Sequence, residues 1–268
     1  MFMKFTVFLG AGRITSALIA GLRLTNYKSP IVVYDRNRQK MRALRREFQV
    51  DIPPNLRSAI EQAQMLIIAV RPASVSGLLA EIAACATSGR PKLYISLAAG
   101  VPLTNLMEWL GPPMRWARAM PSPVSRIGRG LTALCFDSIV GRTERTRVRR
   151  FFAHVGDVLE IPERQFDAFT ATYSSSHGYH ALKTLAEGAR GFGLDHKTAL
   201  TAAAHALADG VLYWRESGQD LARLLHEAAT PGGIAAATVS AMDKSGYARI
   251  VANGLKAGLA RARRNASR

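Results

Sequence analysis

Phe5-Thr-Val-Phe-Leu-Gly10-Ala-Gly12-Arg-Ile-Thr15-Ser-Ala-Leu18 is the stretch that decides the fold. The short apolar run Phe5 to Leu9 ends in glycine and reads as a strand. Ile14, Ala17, Leu18, Gly21 and Leu22 then recur at helical spacing, so the chain passes from strand through a tight turn into a helix. Such a junction suits a dinucleotide pyrophosphate. The first glycine turns the chain, the second lets backbone approach the phosphates, and the helix N-terminus offers amide donors and the positive end of its dipole. Thr15 stands where a third Gly or Ala is usual, so the fingerprint is imperfect. Gly10, Ala11, Gly12, Arg13, Ile14 and Thr15 are the candidate phosphate-side positions.

Outward from this stretch the pattern repeats. Ile31 to Tyr34 reads as a strand, Gln39 to Phe48 as a helix, Met65 to Val70 as a strand, Val75 to Ala86 as a helix and Lys92 to Ser96 as a strand. Alternation at this scale implies βαβ units, hence an α/β part with a parallel sheet and helices on its faces. After about Glu163 the strand-like runs stop, and Ala, Leu and small residues recur at three and four residue spacing from Phe166 to Leu259. The expected division is 1–163 for the α/β domain and 164–268 for an all-α domain, with turns at Gly191 to Gly193, Ser217-Gly218, Pro231-Gly232-Gly233 and Ser245-Gly246. The helix from Lys197 to Trp214 carries Ala and Leu on more than one face, as a bundle or a subunit interface requires.

Strand ends supply the rest of the cofactor candidates. Asp35, at the end of the second strand, can accept from the ribose hydroxyls of NAD, whereas Arg36 and Arg38 can clamp the 2′-phosphate of NADP. The arginines favour NADP, and Asp35 keeps NAD open. Ala69, Val70 and Pro72, then Ala98 and Gly100, close the next strands at the edge where doubly wound sheets bind ligands.

Composition excludes several classes. The 268 residues are 48% hydrophobic and 21% charged, which argues against disorder and against a disulfide-stapled miniprotein. Cys85 and Cys135 are too few for a disulfide framework or a zinc site, and the histidines show no metal spacing, so no metal is expected. The N-terminal run is too short for a secretory signal, and no stretch is apolar enough to span a membrane; a cytoplasmic protein is expected. The formal charge is +17, and residues 1–164 carry 24 Lys and Arg against 11 Asp and Glu. The densest run, Arg142, Arg145, Arg147, Arg149 and Arg150, and the tail Arg261, Arg263, Arg264, Arg268, read as solvated basic faces. No interleaved aromatics or nucleic-acid motif accompany them, so nucleic acid is not expected as a partner.

The order of Gly10 to Leu18, Ser96 to Val101, Arg118 to Pro121 and Thr230 to Gly233, followed by Ser245-Gly246-Tyr247, resembles the pyrroline-5-carboxylate reductase family over nearly the whole chain from Lys4. The resemblance implies a Rossmann-like, mostly parallel sheet domain followed by a helical dimerisation domain. It also implies a homo-oligomer whose site is assembled across the dimer interface, and hydride transfer from NAD(P)H to the carbon–nitrogen double bond of a cyclic imino acid in proline biosynthesis. Substrate candidates carried over are Met120, Ser175, Ser176, Thr230, Pro231, Gly232 and Gly233. Departures fall in this half. After Pro231-Gly232-Gly233 the chain reads Ile234-Ala235, so the usual threonine hydroxyl is absent; Thr238 comes one helical turn later, and His177 lies in the serine stretch. Those two are the candidates for that hydroxyl's part. A related reductase for another imine or carbonyl, or a non-catalytic nucleotide-binding protein, are the alternatives.

Overall fold

The computed structural model describes residues 5–85 and 92–266. The first part runs β1 (Phe5–Leu9), α1 (Arg13–Leu24), β2 (Ile31–Tyr34), α2 (Arg38–Phe48), α3 (Leu56–Gln62), β3 (Ala63–Ile68), α4 (Val75–Ala84), β4 (Leu93–Ser96) and α5 (Leu103–Leu110). It continues with β5 (Arg115–Met120), β6 (Gly130–Phe136), α6 (Arg142–Ala153), β7 (Gly156–Glu160) and α7 (Glu163–Thr172). The expected strands and helices up to β4 are present within two residues at their ends, except that the expected end of α4 at Ala86 lies outside the described residues.

The sheet has seven strands in the order β2-β1-β3-β4-β5-β6-β7. Its first five are parallel, β6 runs antiparallel to β5, and β7 is parallel to β6. The fold is α/β and Rossmann-like. Register places Val7 beside Val32 and Leu66, and Leu66 beside Tyr94. Because strand side chains alternate between faces, Val7, Leu9, Leu66, Ile68, Tyr94 and Trp116 build one core with α3, α4, α5 and Phe166. Phe8, Val33, Ile67, Ile95 and Ala117 build the other with α1, α2 and α6. Each fully buried aliphatic side chain contributes about 1.5–3 kcal/mol. A continuous apolar run such as Met65 to Ile68 is what a strand covered on both faces looks like.

The second part is helical: α8 (Ser175–Gly191), α9 (His196–Ser217), α10 (Leu221–Ala228), α11 (Ile234–Lys244) and α12 (Tyr247–Ala266). By packing, residues up to Tyr173 and from Gly258 onward form one compact unit and Ser174–Ala257 the other. α7 and the last turns of α12 thus pack with the sheet unit, whereas the division at 163/164 assigns them to the helical part. The physical reason is local. Gly100 has φ +73°, a Cβ there would lie 2.2 Å from the Ala262 carbonyl oxygen, and Asn265 donates to the Ala99 carbonyl (3.2 Å).

Within the helical unit, Ala186, Ala199 and Ala203 are the buried apolar residues among those described. Small residues let α8 and α9 approach closely. Large ones face outward instead: Leu212 and Tyr213 are each 57% exposed and Ile250 64%. Apolar surface of this extent marks an interaction face. No described helix is long and apolar enough to cross a membrane.

The basic run of α6 is not one solvated face, contrary to expectation. Arg145 and Arg149 both pair with Glu160 and lie over the Phe136 ring, 5.0 and 5.8 Å from its centroid. Arg142, Arg147 and Arg150 line a cavity.

Candidate functional site

The strand order reverses between β1 and β3, which makes the C-terminal edge of these strands the switch point where doubly wound sheets hold ligands. A cavity of about 350 Å³ opens there, bounded by Gly10, Gly12, Asp35, Arg36, Ala69 and Val70. The two glycines have different work. Gly10 sits at φ +118°, its amide donates to the Tyr34 carbonyl (2.8 Å), and a Cβ would meet the Ala69 carbonyl oxygen at 2.5 Å. It is the residue that lets three strand ends converge. Gly12 is the N-cap of α1 in extended conformation, and a Cβ there would meet nothing within 4 Å. The space over Gly12 is open.

The first turn of α1 has no side-chain cap and no acidic residue, so its leading amides have no side-chain acceptor. Amides in that position, with the dipole behind them, form an anion site. Thr15 has a structural reason to replace glycine: its buried hydroxyl donates to the Gly10 carbonyl (2.7 Å) and ties the turn to the helix. Asp35 ties the turn to β2. Its Oδ2 accepts from the Ala11 amide (2.7 Å) and its Oδ1 from the Asn37 amide (2.7 Å), while the Asn37 side chain caps α2. Both carboxylate oxygens therefore already hold a backbone donor. Arg36 is exposed and paired with Glu81 at the cavity edge, a pair that solvent keeps weak and a ligand can displace.

The structure brings Gly10, Gly12, Asp35, Arg36, Ala69 and Val70 together and leaves other expected positions outside the lining. Arg13 is exposed, Ile14 packs on the core, Arg38 opens α2, and Pro72 begins a 3₁₀ turn. Ala98 is buried with its amide on the Ser96 hydroxyl (3.3 Å), and Gly100 serves the approach of α12. Lys40, Arg71 and Ser74 line the cavity without having been singled out as site residues. Their only signal is a polar residue within about six positions of a strand end.

Met120 ends β5 in the sheet unit; the other substrate candidates belong to the helical unit. Ser174 caps α8, its hydroxyl 2.7 Å from that of Ser176, and His177 lies in the first turn. Thr230 to Gly233 form the turn into α11: Gly232 has φ +79°, the Gly233 amide donates to the Thr230 carbonyl (2.9 Å), and Gly233 is the N-cap with no side-chain cap. The Thr238 hydroxyl, one turn into α11, donates to the Ile234 carbonyl (3.0 Å).

Arg118, quoted above only as part of a string, is a buried charge. Its guanidinium bonds Glu163 (2.8 Å) and Asp167 (3.1 Å) and lies 4.2 Å from the Phe166 centroid. Glu163 also accepts from the Leu103 amide (3.0 Å) and the Cys135 thiol (2.7 Å). Burial, then the hydrogen bond to Glu163, push the Cys135 thiol well above the ordinary range, so it carries no thiolate near neutral pH. In native protein at pH 8 a thiol reagent is expected to label half-buried Cys85 and to reach Cys135 only after denaturant is added. Two thiols released at one fast rate would contradict that environment.

The family described as NADP oxidoreductase, coenzyme F420-dependent, matches residues 6–100, and pyrroline-5-carboxylate reductase dimerisation matches residues 163–265. The chain is 28% identical over 253 residues to the pyrroline-5-carboxylate reductase of Synechocystis sp., covering 93% of each chain. It is 29% identical over 266 residues to that of Mycobacterium leprae, covering 91% of this chain and 90% of the relative. In fold it is similar to a Plasmodium falciparum pyrroline carboxylate reductase solved with NADP bound, with a TM-score of 0.87, 22% identity and 99% of each chain covered.

Proposed function

We propose that this chain, which belongs to the pyrroline-5-carboxylate reductase family, reduces the carbon–nitrogen double bond of pyrroline-5-carboxylate with NADPH, giving proline. The observation that carries the reading is the uncapped N-terminus of α1, with open space above Gly12 at the sheet's switch point. When bound, the nicotinamide coenzyme supplies the hydride. The residues present fit it. Amides at the start of α1 meet the diphosphate, and Gly12 lets backbone come close. Arg36, with Lys40 and Arg71 beside it, meets a 2′-phosphate, while Asp35 is held to the turn by two amides. That balance favours NADPH over NADH.

Little acid-base machinery is needed, because the iminium form of the substrate is already electrophilic and the main task is alignment. In this reading the amides at the start of α11, after Thr230 to Gly233, hold the substrate carboxylate, and Ser175 and Ser176 at the start of α8 serve the substrate in the same helical unit. His177 is the candidate donor near the imine nitrogen, since the Thr238 hydroxyl is spent on its own helix. The division of labour follows 1–163 for coenzyme and 164–268 for substrate and assembly. The outward apolar faces of α9, α10 and α12 pack on a second copy, whose helices complete the site.

Purified protein is expected to consume NADPH in the presence of pyrroline-5-carboxylate, with proline as product. Arg36→Ala should lower kcat/KM for NADPH about tenfold or more and leave NADH nearly unchanged, because one charge-assisted contact contributes about 1.5–3 kcal/mol. No turnover with either coenzyme overturns the proposal. Faster turnover of a different cyclic imine would move the substrate to the one that Ile234, 89% exposed at the opening of α11, accommodates.

A further inference from the structure

A second cavity, of about 610 Å³, is lined by none of the residues assigned to that reaction. It opens at the N-terminal ends of β1 and β3, beside Thr6, Gln64 and Met65, whereas the coenzyme cavity lies at their C-terminal ends beside Leu9 and Ala69. The two share no lining residue.

Its wall is selectively basic. Arg142, Arg147 and Arg150 of α6 line it, and no carboxylate does. The neighbouring arginines of the same helix are paired instead: Arg145 and Arg149 share Glu160 and lie over Phe136. Among the described residues, Arg142, Arg147 and Arg150 have no acidic partner within salt-bridge distance. One of them is nonetheless held in place. With its amide oriented by its hydrogen bonds, Gln64 accepts from both terminal nitrogens of Arg147 (3.0 and 3.3 Å), fixing the guanidinium at the wall without neutralising it. The start of α6 adds to this. Gly141 provides no side-chain cap, and the first-turn residues Arg142 and Thr143 line the cavity, so the positive end of the helix dipole adds to the Arg142 charge. Hydroxyl donors complete the lining at Ser29, Thr143 and Thr146. Like charges gathered on one helix face repel, and an anion seated among them removes the repulsion while using planar donors matched to phosphate oxygens.

We propose that this cavity is a second ligand site, binding a small molecule that carries more than one phosphate group. Its volume is that of a nucleotide-sized pocket, and Tyr27, set edge-on to both Phe151 (5.6 Å) and His154 (5.1 Å), gives it an aromatic side. A nucleoside triphosphate and free tripolyphosphate share the chemistry the arginines recognise.

Calorimetry on the full chain with ATP, tripolyphosphate and adenosine distinguishes the sources. It is run in parallel on wild type with saturating NADPH and on Gly12→Val, whose coenzyme site is blocked. The expected result is saturable binding of ATP or tripolyphosphate, one per chain, in both backgrounds. Arg147→Ala with Arg150→Ala should weaken it about tenfold or more, and NADPH binding should be unchanged. Both arginines are at or near the surface, and the thermal melt of the variant checks that it folds. ATP and tripolyphosphate bound alike assign the site to the phosphate chain; ATP bound alone adds the base. The proposal is overturned if neither phosphate compound binds at about millimolar concentration, if NADPH displaces them, or if the double arginine variant binds them as well as wild type does. Because Gly12→Val reads this site without the coenzyme, failure here and failure of the reductase reading are separate results.

Discussion

Gly12→Val is expected to raise the dissociation constant for NADPH at least about 100-fold, a difference of about 2.7 kcal/mol, while the melting temperature falls by only about 1–6 °C. The reasoning rests on what surrounds the missing Cβ. Gly12 has φ −85° and ψ −176°, a conformation open to any residue, and a Cβ there would meet no protein atom within 4 Å. Replacing a glycine N-cap by valine costs about 0.5–1.5 kcal/mol of helix stability, too little to unfold the domain. Whatever the valine obstructs is therefore ligand. Gly10→Ala is the control with the opposite signature. At φ +118°, with the Ala69 carbonyl oxygen 2.5 Å from the new methyl, it should destabilise the fold itself by about 1–3 kcal/mol or more. Isothermal titration and thermal melts on both variants decide the matter. If Gly12→Val binds coenzyme normally, the start of α1 is not the phosphate site.

Glu163→Ala is expected to cost about 2–4 kcal/mol of stability, or roughly 4–16 °C in melting temperature for a protein of this size. One carboxylate serves three donors: the Arg118 guanidinium, the Leu103 amide and the Cys135 thiol. Arg118 is 1% exposed and would keep only Asp167 as an acidic partner. Breaking a fully buried pair costs about 3–5 kcal/mol; the Glu163 side chain is 36% exposed, so water recovers part of that. Arg118→Met should cost less than Glu163→Ala, because it leaves behind carboxylates that solvent reaches rather than a charge that solvent does not. In the double variant the penalties should fall short of their sum. Denaturant unfolding of the three proteins gives the coupling directly, and additive losses would mean that the pair is energetically idle.

Legibility in the sequence followed the range of the interaction that carried each feature. β1, the turn at Gly10 and α1 are contiguous, so apolar run, glycines and helical spacing sit within about twenty residues and announce themselves. β5 did not, because Arg115–Met120 mixes basic and apolar residues, and it is a strand whose Arg118 is satisfied by side chains about 45 positions away on α7. β6 and β7 were likewise invisible as strands, the latter being an edge strand with an exposed, charged pattern. Within the candidate coenzyme site the glycines were legible. The allocation of Asp35 to two backbone amides was not, since a carboxylate at a strand end has the same letter whether it faces ribose or the protein's own turn.

The sequence by itself determined the α/β then all-α order, the glycine turn after β1 and the motif order that resembles the reductase family, because these are written in local periodicity and in motifs kept in line along the chain. Only the tertiary structure decided which arginines of α6 are paired and which are left facing a cavity, that Gly100 makes room for Ala262, and that the Thr238 hydroxyl is held by Ile234. A side chain's chemistry is set by the partners that reach it, and those partners arrive from elsewhere in the chain only once it has folded.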